Sequence, residues 1–377
     1  MPVNLKKNLT NMPRRYKIDS DIRKAETLPA SFYRDPEVYE ELKERVFAKT
    51  WQWIGDDSVI PPGNTTYPFV LLDKFLSEPM ILTRDKEGAV RCLTNVCTHR
   101  GNIVVQNPGK QKSLVCGYHG RSFELDGKFK AMPEFKAAEN FPRPSDNLHQ
   151  FHLAQWGQHM FVALEPSFSL DEVINIMNER VGFLPLHQFK RNDSLSKDYL
   201  VNCHWALYCD NYLEGFHIPF VHEDLNRVVD YGQYATVPYE HVNLQIGYAD
   251  ESKEVFALPA GHIDQGKHVA AYYYWLFPNL MFNFYPWGLS VNLVRPLGVN
   301  RTKVSFIIYV HDESKLNSGA GALLDKVERE DEFVVEGVQS GLQSRFYQAG
   351  RFSPSKEVGV HQFHRLLARY LSDKSDS

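Results

Sequence analysis

Cysteine is scarce in this 377-residue chain. Five residues are too few for a disulfide scaffold, and thiols kept free suit a reducing, cytoplasmic compartment. Charge of one sign is lacking too. Lys and Arg total 42 against 46 Asp and Glu, a formal net charge of -4, and no polybasic run breaks the balance. That excludes a nucleic-acid surface of the electrostatic kind. No apolar run can span a bilayer, because the most hydrophobic stretch, AYYYWLFPNLMFNFYPWGL, is broken by Pro278, Asn279, Asn283 and Pro286. The opening segment MPVNLKKNLTNMPRRYK has none of the apolar core of a signal peptide, and its basic residues are expected to form an exposed arm. No GxGxxG fingerprint occurs, so hydride from a nicotinamide cofactor must enter through a different protein. Internal repeats and low-complexity segments are absent, which leaves a soluble globular chain long enough for two cores.

What is present is more specific. Cys97-Thr98-His99, within VCTHRG, and Cys116-Gly117-Tyr118-His119, within VCGYHG, begin nineteen residues apart. Each loop offers one thiolate and one imidazole. Two such loops put both cysteines on one iron and both histidines on the other, the ligand set of a Rieske [2Fe-2S] centre. Structural zinc is the alternative, but it usually pairs Cys with Cys and His with His, which mixed pairs do not provide. Cys92, Cys203 and Cys209 are left as reduced core thiols.

Residues 36 to 50, PEVYEELKERVFAKT, read as a short amphipathic helix with Val38, Leu42, Val46 and Phe47 at helical spacing. From 51 to 166 short apolar runs are cut by the turn signals DD, PPGN, DKEG, NPGK and LDGK, as in a small antiparallel all-β domain with the two ligand pairs in its loops. From 167 to 377 the period changes. Segments 170–181 and 202–218 read as helices, 240–250, 269–285, 288–296 and 303–311 as strands, and 320–344 as a long helix. The fold class is therefore α+β, the second domain carrying an antiparallel sheet with helices on one side. Residues 1–50 form an arm and helix expected to pack on that domain.

A second metal site lies between Asn202 and His222, in NCHWALYCDNYLEGFHIPFVH. On one continuous helix Asp210, Glu214 and His217 share a face with Asn211 at its border, and Pro219 ends the helix so that His222 can fold back toward His217. Two histidines and one carboxylate make the facial triad of non-haem Fe(II) oxygenases. The carboxylate is supplied by the last long helix, where Leu324, Val327, Val335, Val338 and Leu342 form an apolar stripe and Asp331 fills its gap. A carboxylate aimed at the core needs a cation. That cation is iron, or, alternatively, an arginine such as Arg295. Likewise His217 and His222, taken alone, leave the alternative of core histidines bound to backbone groups, which the Cys/His pairs elsewhere in the chain disfavour. Glu328, Glu330, Glu332 and Glu336 fall off the stripe and read as solvated, and His204, His311, His361 and His364 as structural.

These residues resemble the α-subunits of Rieske non-haem iron oxygenases from about Thr27 to Leu371: CTHRG and CGYHG are similar to the cluster half-motifs and DNYLEGFHIPFVH to the mononuclear-iron motif. Within the family, LFPNLMFNFYPWGLSVNLVRPLG and EREDEFVVEGVQSGLQSRFYQAGRFS are similar to the choline and glycine-betaine monooxygenase branch. The resemblance implies a helix-grip catalytic domain, a [2Fe-2S] cluster on Cys97, His99, Cys116 and His119, and mononuclear Fe(II) on His217, His222 and Asp331. It also implies that Glu214 bridges this iron to a Rieske histidine of the next subunit in a head-to-tail homotrimer, with Asp210 and Asn211 orienting His217 and shaping the pocket. Gly117 and Arg121 depart from the Pro and Trp usual in the second half-motif, and are expected near the exposed histidine edge where a reductase docks. The implied reaction is O2-dependent hydroxylation or N-demethylation of a small quaternary ammonium compound, fed by an NAD(P)H-dependent flavin or iron-sulfur reductase, without membrane or nucleic acid. The alternatives are an aromatic ring-hydroxylating dioxygenase and a non-catalytic Rieske electron-transfer protein. Of the aromatic residues crowding the second domain, among them Trp205, Tyr208, Tyr212, Tyr273, Trp275 and Tyr285, most are expected in the core and a few around the substrate cation.

Overall fold

The computed structural model describes residues 16–227, 230–250, 253–316, 318–322 and 324–372; the expected basic arm lies largely outside them. The chain divides into two compact units, Ala48–Phe168 and a second that joins the segment ending at Phe47 to everything from Ser169 onward. Helix α1 (Pro36–Arg45) belongs to the second. Asp35 caps it by accepting from the Glu37 amide, Pro36 occupies its first turn, where no amide donor is needed, and Val38, Tyr39 and Leu42 are buried.

The unit Ala48–Phe168 is built from short strands. These are β1 (Gln52–Asp56), β2 (Thr65–Leu71), β3 (Glu78–Arg84), β4 (Val90–Thr94), β5 (Gly109–Lys110), β6 (Leu114–Val115), β7 (Ser122–Phe123), β8 (Phe129–Ala131), β9 (Gln150–Trp156) and β10 (His159–Ala163). They form a seven-stranded sheet in the order β1-β10-β9-β4-β3-β2-β5 and a three-stranded sheet β6-β7-β8. The pairings are antiparallel throughout. Ile81, Leu93, Val104, Leu114 and Phe123 pack together with Cys97 and Cys116, so both cysteines are anchored in the core rather than carried on free loops.

The larger unit continues with α2 (Leu170–Val181), β11 (Lys190–Val201), α3 (Trp205–Tyr212), α4 (Ile218–Val221), α5 (Glu223–Asn226), β12 (Ala235–Pro238), β13 (Val242–Tyr248), β14 (Val269–Leu276), β15 (Leu280–Tyr285), β16 (Gly288–Gly298), β17 (Arg301–Val310), α6 (Leu324–Gly341) and α7 (Val358–Leu371). The sheet runs β11-β17-β16-β15-β14-β13-β12. Helix α3 packs on β16 and against α6 and α7, and α7 covers β12. Register matters for the site. Gln245 pairs with Tyr273, and Tyr273 with Asn283, so three adjacent strands present these side chains on one face.

Four expectations need correction. The helix expected over 202–218 stops at Tyr212. Its closing carbonyl, Tyr212 O, accepts instead from Gln245 Nε2 at 2.7 Å, and the amides of Phe216 and His217 donate to the Glu214 carboxylate, so the helical ladder has neither acceptor nor donors with which to continue. Pro219 does not end that helix. It sits in the first turn of α4, where a missing amide costs nothing. The segment 269–285 is a hairpin, turning at Phe277–Asn279, rather than one strand. Finally, α6 spans 324–341, not 320–344, and α7 follows it.

Candidate functional site

The two Cys/His loops are near copies of each other in backbone. The Cys97 amide donates to Asn102 O at 2.8 Å and the Gly101 amide to Cys97 O at 2.9 Å; in the second loop Cys116 donates to Arg121 O at 2.8 Å and Gly120 to Cys116 O at 3.0 Å. Gly101 and Gly120 close the loops at φ of +71° and +73°, a conformation that disfavours any residue with a Cβ. Cys97 and Cys116 are buried, His119 is exposed, and the His99 and His119 rings lie 4.8 Å apart. Thiolates at the buried end and imidazoles at the wet end fit a Rieske cluster, whose histidine edge meets the electron-transfer partner. Asn102 Nδ2 points at Cys116 Sγ at 3.5 Å, a donor of the kind that tunes such a cluster.

Arg121 is not at the exposed edge. It is 2% exposed, with its guanidinium over the rings of Phe129, Phe141 and Phe123 at 5.1, 5.4 and 5.8 Å. Its Nη2 donates to Asp146 Oδ1 at 2.7 Å and to Asp146 O at 3.2 Å, while Thr98 Oγ1, inside the first ligand loop, donates to the same carbonyl at 2.8 Å. Asp146 therefore ties the two ligand loops together. Burial opposes the charge on its carboxyl, but the Arg143 amide and the Arg121 guanidinium outweigh it and hold the pKa below the usual carboxylate range. Gly117, by contrast, is exposed and its Cβ position is open.

The second cluster is made by loop geometry. His217 and His222 flank α4, and Asp331 lies mid-way along α6. His217 Nδ1 donates to Glu214 Oε1 at 2.6 Å and His222 Nδ1 donates to Glu330 Oε2 at 2.7 Å. Each carboxylate fixes a tautomer that leaves the Nε2 lone pair free. The two Nε2 atoms then face each other at 3.1 Å, with Asp331 Oδ1 at 3.1 Å from one and 3.6 Å from the other. The three ligand atoms lie within 4.8 Å of one another, two lone pairs and a carboxylate oxygen converging as a metal ion requires. Burial disfavours a charge on His222, yet Asp331 and Glu330 raise its pKa above the ordinary value; the local field is built for a positive ion. Arg295, the alternative partner for Asp331, is engaged elsewhere, with Ser305 Oγ at 2.7 Å.

Other expected residues are distributed differently. Glu214, not Asp210, orients His217. The Asp210 carboxylate accepts from Tyr33 OH at 2.8 Å and is 2.9 Å from His364 Nε2, while His364 Nδ1 accepts the Leu28 amide at 3.0 Å. His364 is thus part of a buried polar relay behind the site. Glu330 and Glu328 were expected on the solvated face; the first holds His222, and the second is buried at 1% exposure. The i, i+3 spacing of Glu328 and Asp331 was the available signal. Nothing local in the sequence points to Glu330, whose partner arrives from a loop. Val338, assigned to the apolar stripe, is 43% exposed.

A cavity of about 100 Å³ adjoins the His/His/Asp cluster. Asn211 lines it, as do Tyr208, Tyr212, Tyr234, Tyr273 and Tyr285, along with Gln245, Asn283 and Asn292. Trp205, Tyr272, Tyr274, Trp275, Phe282, Phe284 and Trp287 are core, and Phe216 is 41% exposed. Tyr234 was missed by the sequence reading. It packs against Gly215, where an added Cβ would come within 2.8 Å of its ring.

Residues 50–142 match the Rieske [2Fe-2S] domain, and residues 186–373 match the ring hydroxylating alpha subunit (catalytic domain). The chain is 30% identical over 372 residues to the chloroplastic choline monooxygenase of Arabidopsis thaliana, covering 93% of this chain and 84% of that one. It is 28% identical to the carnitine monooxygenase oxygenase subunit of Escherichia coli (strain K12), covering 93% and 95%. Among solved structures, a quaternary ammonium Rieske monooxygenase in complex with L-carnitine superposes with a TM-score of 0.73 at 23% identity, over 96% of this chain and 99% of that one. Naphthalene 1,2-dioxygenase from Rhodococcus sp. bound to indole gives 0.68 at 19%, over 93% and 95%. At these identities the two structures speak for a shared fold. The catalytic-domain match leaves the electron-transfer-only alternative without support, and among the described residues no helix is long and apolar enough to cross a membrane. With a Rieske domain, a catalytic domain and a choline monooxygenase relative aligned along nearly its whole length, the chain belongs to the Rieske non-haem iron oxygenases, enzymes that carry a [2Fe-2S] cluster and a mononuclear iron.

Proposed function

We propose that this chain is the oxygenase component of a monooxygenase that oxidises a C–H bond next to the nitrogen of a quaternary ammonium compound, hydroxylating or N-demethylating it. The observation that carries the reading is the cavity beside His217, His222 and Asp331, with five tyrosines and three carboxylates and, among the described residues, neither Lys nor Arg in its lining. Aromatic faces and acidic groups favour an organic cation over an aromatic acid. One oxygen atom of O2 enters the product and the other leaves as water, with two electrons and two protons consumed. The electrons come from a separate NAD(P)H-dependent flavin or iron-sulfur reductase.

We assign the cluster to Cys97, His99, Cys116 and His119, and the mononuclear iron to His217, His222 and Asp331. When bound, these groups supply the electrons and the activation of O2. The protein's part is to orient and exclude. Glu214 and Glu330 hold the two imidazoles in one tautomer; Gln245, Tyr273 and Asn283 make a rigid floor across three strands; the tyrosines keep water from the substrate's methyl groups. Glu214 also bridges this site to a Rieske histidine of a neighbouring subunit in a head-to-tail homotrimer. The carnitine-oxidising relative of known structure is described as giving insight into inter-subunit electron transfer, which supports this reading. Cysteines held as cluster ligands or buried thiols rather than in disulfides suit a cytoplasmic location; the choline monooxygenase relatives are named chloroplastic.

The test is an iron count with an O2-electrode screen of choline, betaines, carnitine and aromatic acids, using an added reductase. Three irons per chain and oxygen uptake coupled to loss of a quaternary ammonium compound are expected. Uptake with aromatic acids alone would overturn the substrate reading.

A further inference from the structure

The cavity contains a carboxylate that the mononuclear centre does not use. Glu328 lies on α6 one turn before Asp331, lines the cavity and is 1% exposed. Tyr208 OH donates to its Oε2, and Oε1 is buried with no hydrogen-bond partner. Burial pushes its carboxyl well above the ordinary carboxylate range; the Tyr208 hydroxyl and the more distant charge of Arg329 oppose that shift, while Asp331 and Glu332 add to it. Arg329, the nearest cation on the same helix, is exposed and engaged with Glu332 at 3.1 Å. A half-satisfied buried acid is costly unless something fills its vacant side. Lys and Arg are absent from the described residues lining the cavity.

We propose that Glu328 binds the positively charged nitrogen of the substrate, and that the cavity is specific for an organic cation bearing no carboxylate of its own, such as an N-methylated amino alcohol, over a zwitterionic betaine. The inference rests on the oxygenase reading above and narrows its substrate class. Tyr208 holds one carboxylate oxygen, which leaves the other as an unpartnered buried acceptor on a side chain that lines the same cavity as Tyr212, Tyr273 and Tyr285. A trimethylammonium head there favours the ionised form of the Glu328 carboxyl, supplying the counter-charge that burial alone withholds, and meets several aromatic faces. A betaine would bring a further carboxylate into a lining that already holds Glu214, Glu328 and Asp331 and that has, among the described residues, no Lys or Arg to receive it. Like-charge juxtaposition of that kind is a means of rejecting the wrong ligand.

The experiment measures dissociation constants by anaerobic calorimetry on the iron-loaded holoenzyme for choline, its neutral carbon isostere 3,3-dimethylbutan-1-ol, and glycine betaine. Wild type is expected to bind choline about tenfold or more tightly than either other probe. Glu328→Gln should weaken choline about tenfold while leaving the isostere within about threefold, with the cluster spectrum and iron count unchanged. Glu328→Asp, which keeps the charge but retracts it, and Tyr208→Phe, which frees it, should fall between. If the Gln variant keeps the wild-type preference for choline over the isostere, or if betaine binds as well as choline to wild type, the inference is wrong while the oxygenase reading stands. If wild type binds no quaternary ammonium compound at all, the substrate reading itself falls and this inference with it. Should the Gln variant misfold, the Asp and Phe variants decide: choline affinity equal to wild type in both refutes the role of Glu328.

Discussion

Replacing Arg121 by leucine should loosen the cluster without touching a ligand. The side chains of Arg121 and Asp146 are 2% and 12% exposed, so solvent screens their 2.7 Å contact little. Removing one partner of a buried pair costs about 3–5 kcal/mol because the other charge is left behind. Asp146 keeps the Arg143 amide at 2.7 Å on its second oxygen, which points to the low end, about 3 kcal/mol. For a unit the size of Ala48–Phe168 that corresponds to a midpoint lowered by about 10 °C. Anaerobic heating followed by the visible band of the Rieske centre reports this unit alone. The surface pair Lys128–Asp126, at 74% and 29% exposure, is the control: Lys128→Gln should change the midpoint by no more than about 2 °C. The double variant Arg121→Leu with Asp146→Asn removes the stranded charge and should recover a good part of the loss. A single Arg121→Leu variant that bleaches with the wild type and the control would refute the idea that this pair ties the ligand loops together.

Other outcomes follow from the geometry. Cys97→Ser should abolish the cluster band, whereas Asp331→Ala should keep it and lose one iron of three; co-expressed, these two inactive variants should recover activity in mixed oligomers if electrons pass between chains, and purified mixed oligomers with full residual metal that stay inactive would exclude that route. Glu214→Gln should retain the metals but lower turnover about 10- to 100-fold, since it weakens the group that orients His217; turnover within a few-fold of wild type would sink the bridging role. Burial holds His159 down to about 4 and His204 to about 3. Both lie below the value near 6.5 of the unfolded chain, so the unfolded state binds more protons and stability falls as pH drops from about 6.5 toward 4, by up to about 1.4 kcal/mol per pH unit for each histidine. Urea midpoints at pH 6.5 and 5 should diverge in wild type and diverge less in His159→Leu.

Much of this could be read from the chain because short ligand motifs and buried stripes are local signals. The two Cys/His loops announce themselves by residue type and spacing, and Asp331 by standing in the gap of an apolar stripe on α6. What escaped was set by distant partners. Helix α3 ends at Tyr212 because Gln245, on β13, takes its carbonyl, and no window around Tyr212 contains that information. Arg121 looks like a loop cation beside an exposed histidine, and it is buried only because Asp146 and three phenylalanines close around it. Glu330 and Glu328 flank the stripe and were read as solvated from the wheel alone, yet the first is claimed by a histidine arriving from the loop after α4 and the second is covered by Tyr208. These misreadings share a cause. A carboxylate at the edge of an apolar stripe is solvated only if nothing packs over that edge, and at a metal centre something does, because the ligands must converge from several elements. Charged residues next to a predicted ligand on a helix are therefore better treated as parts of the site until a structure frees them.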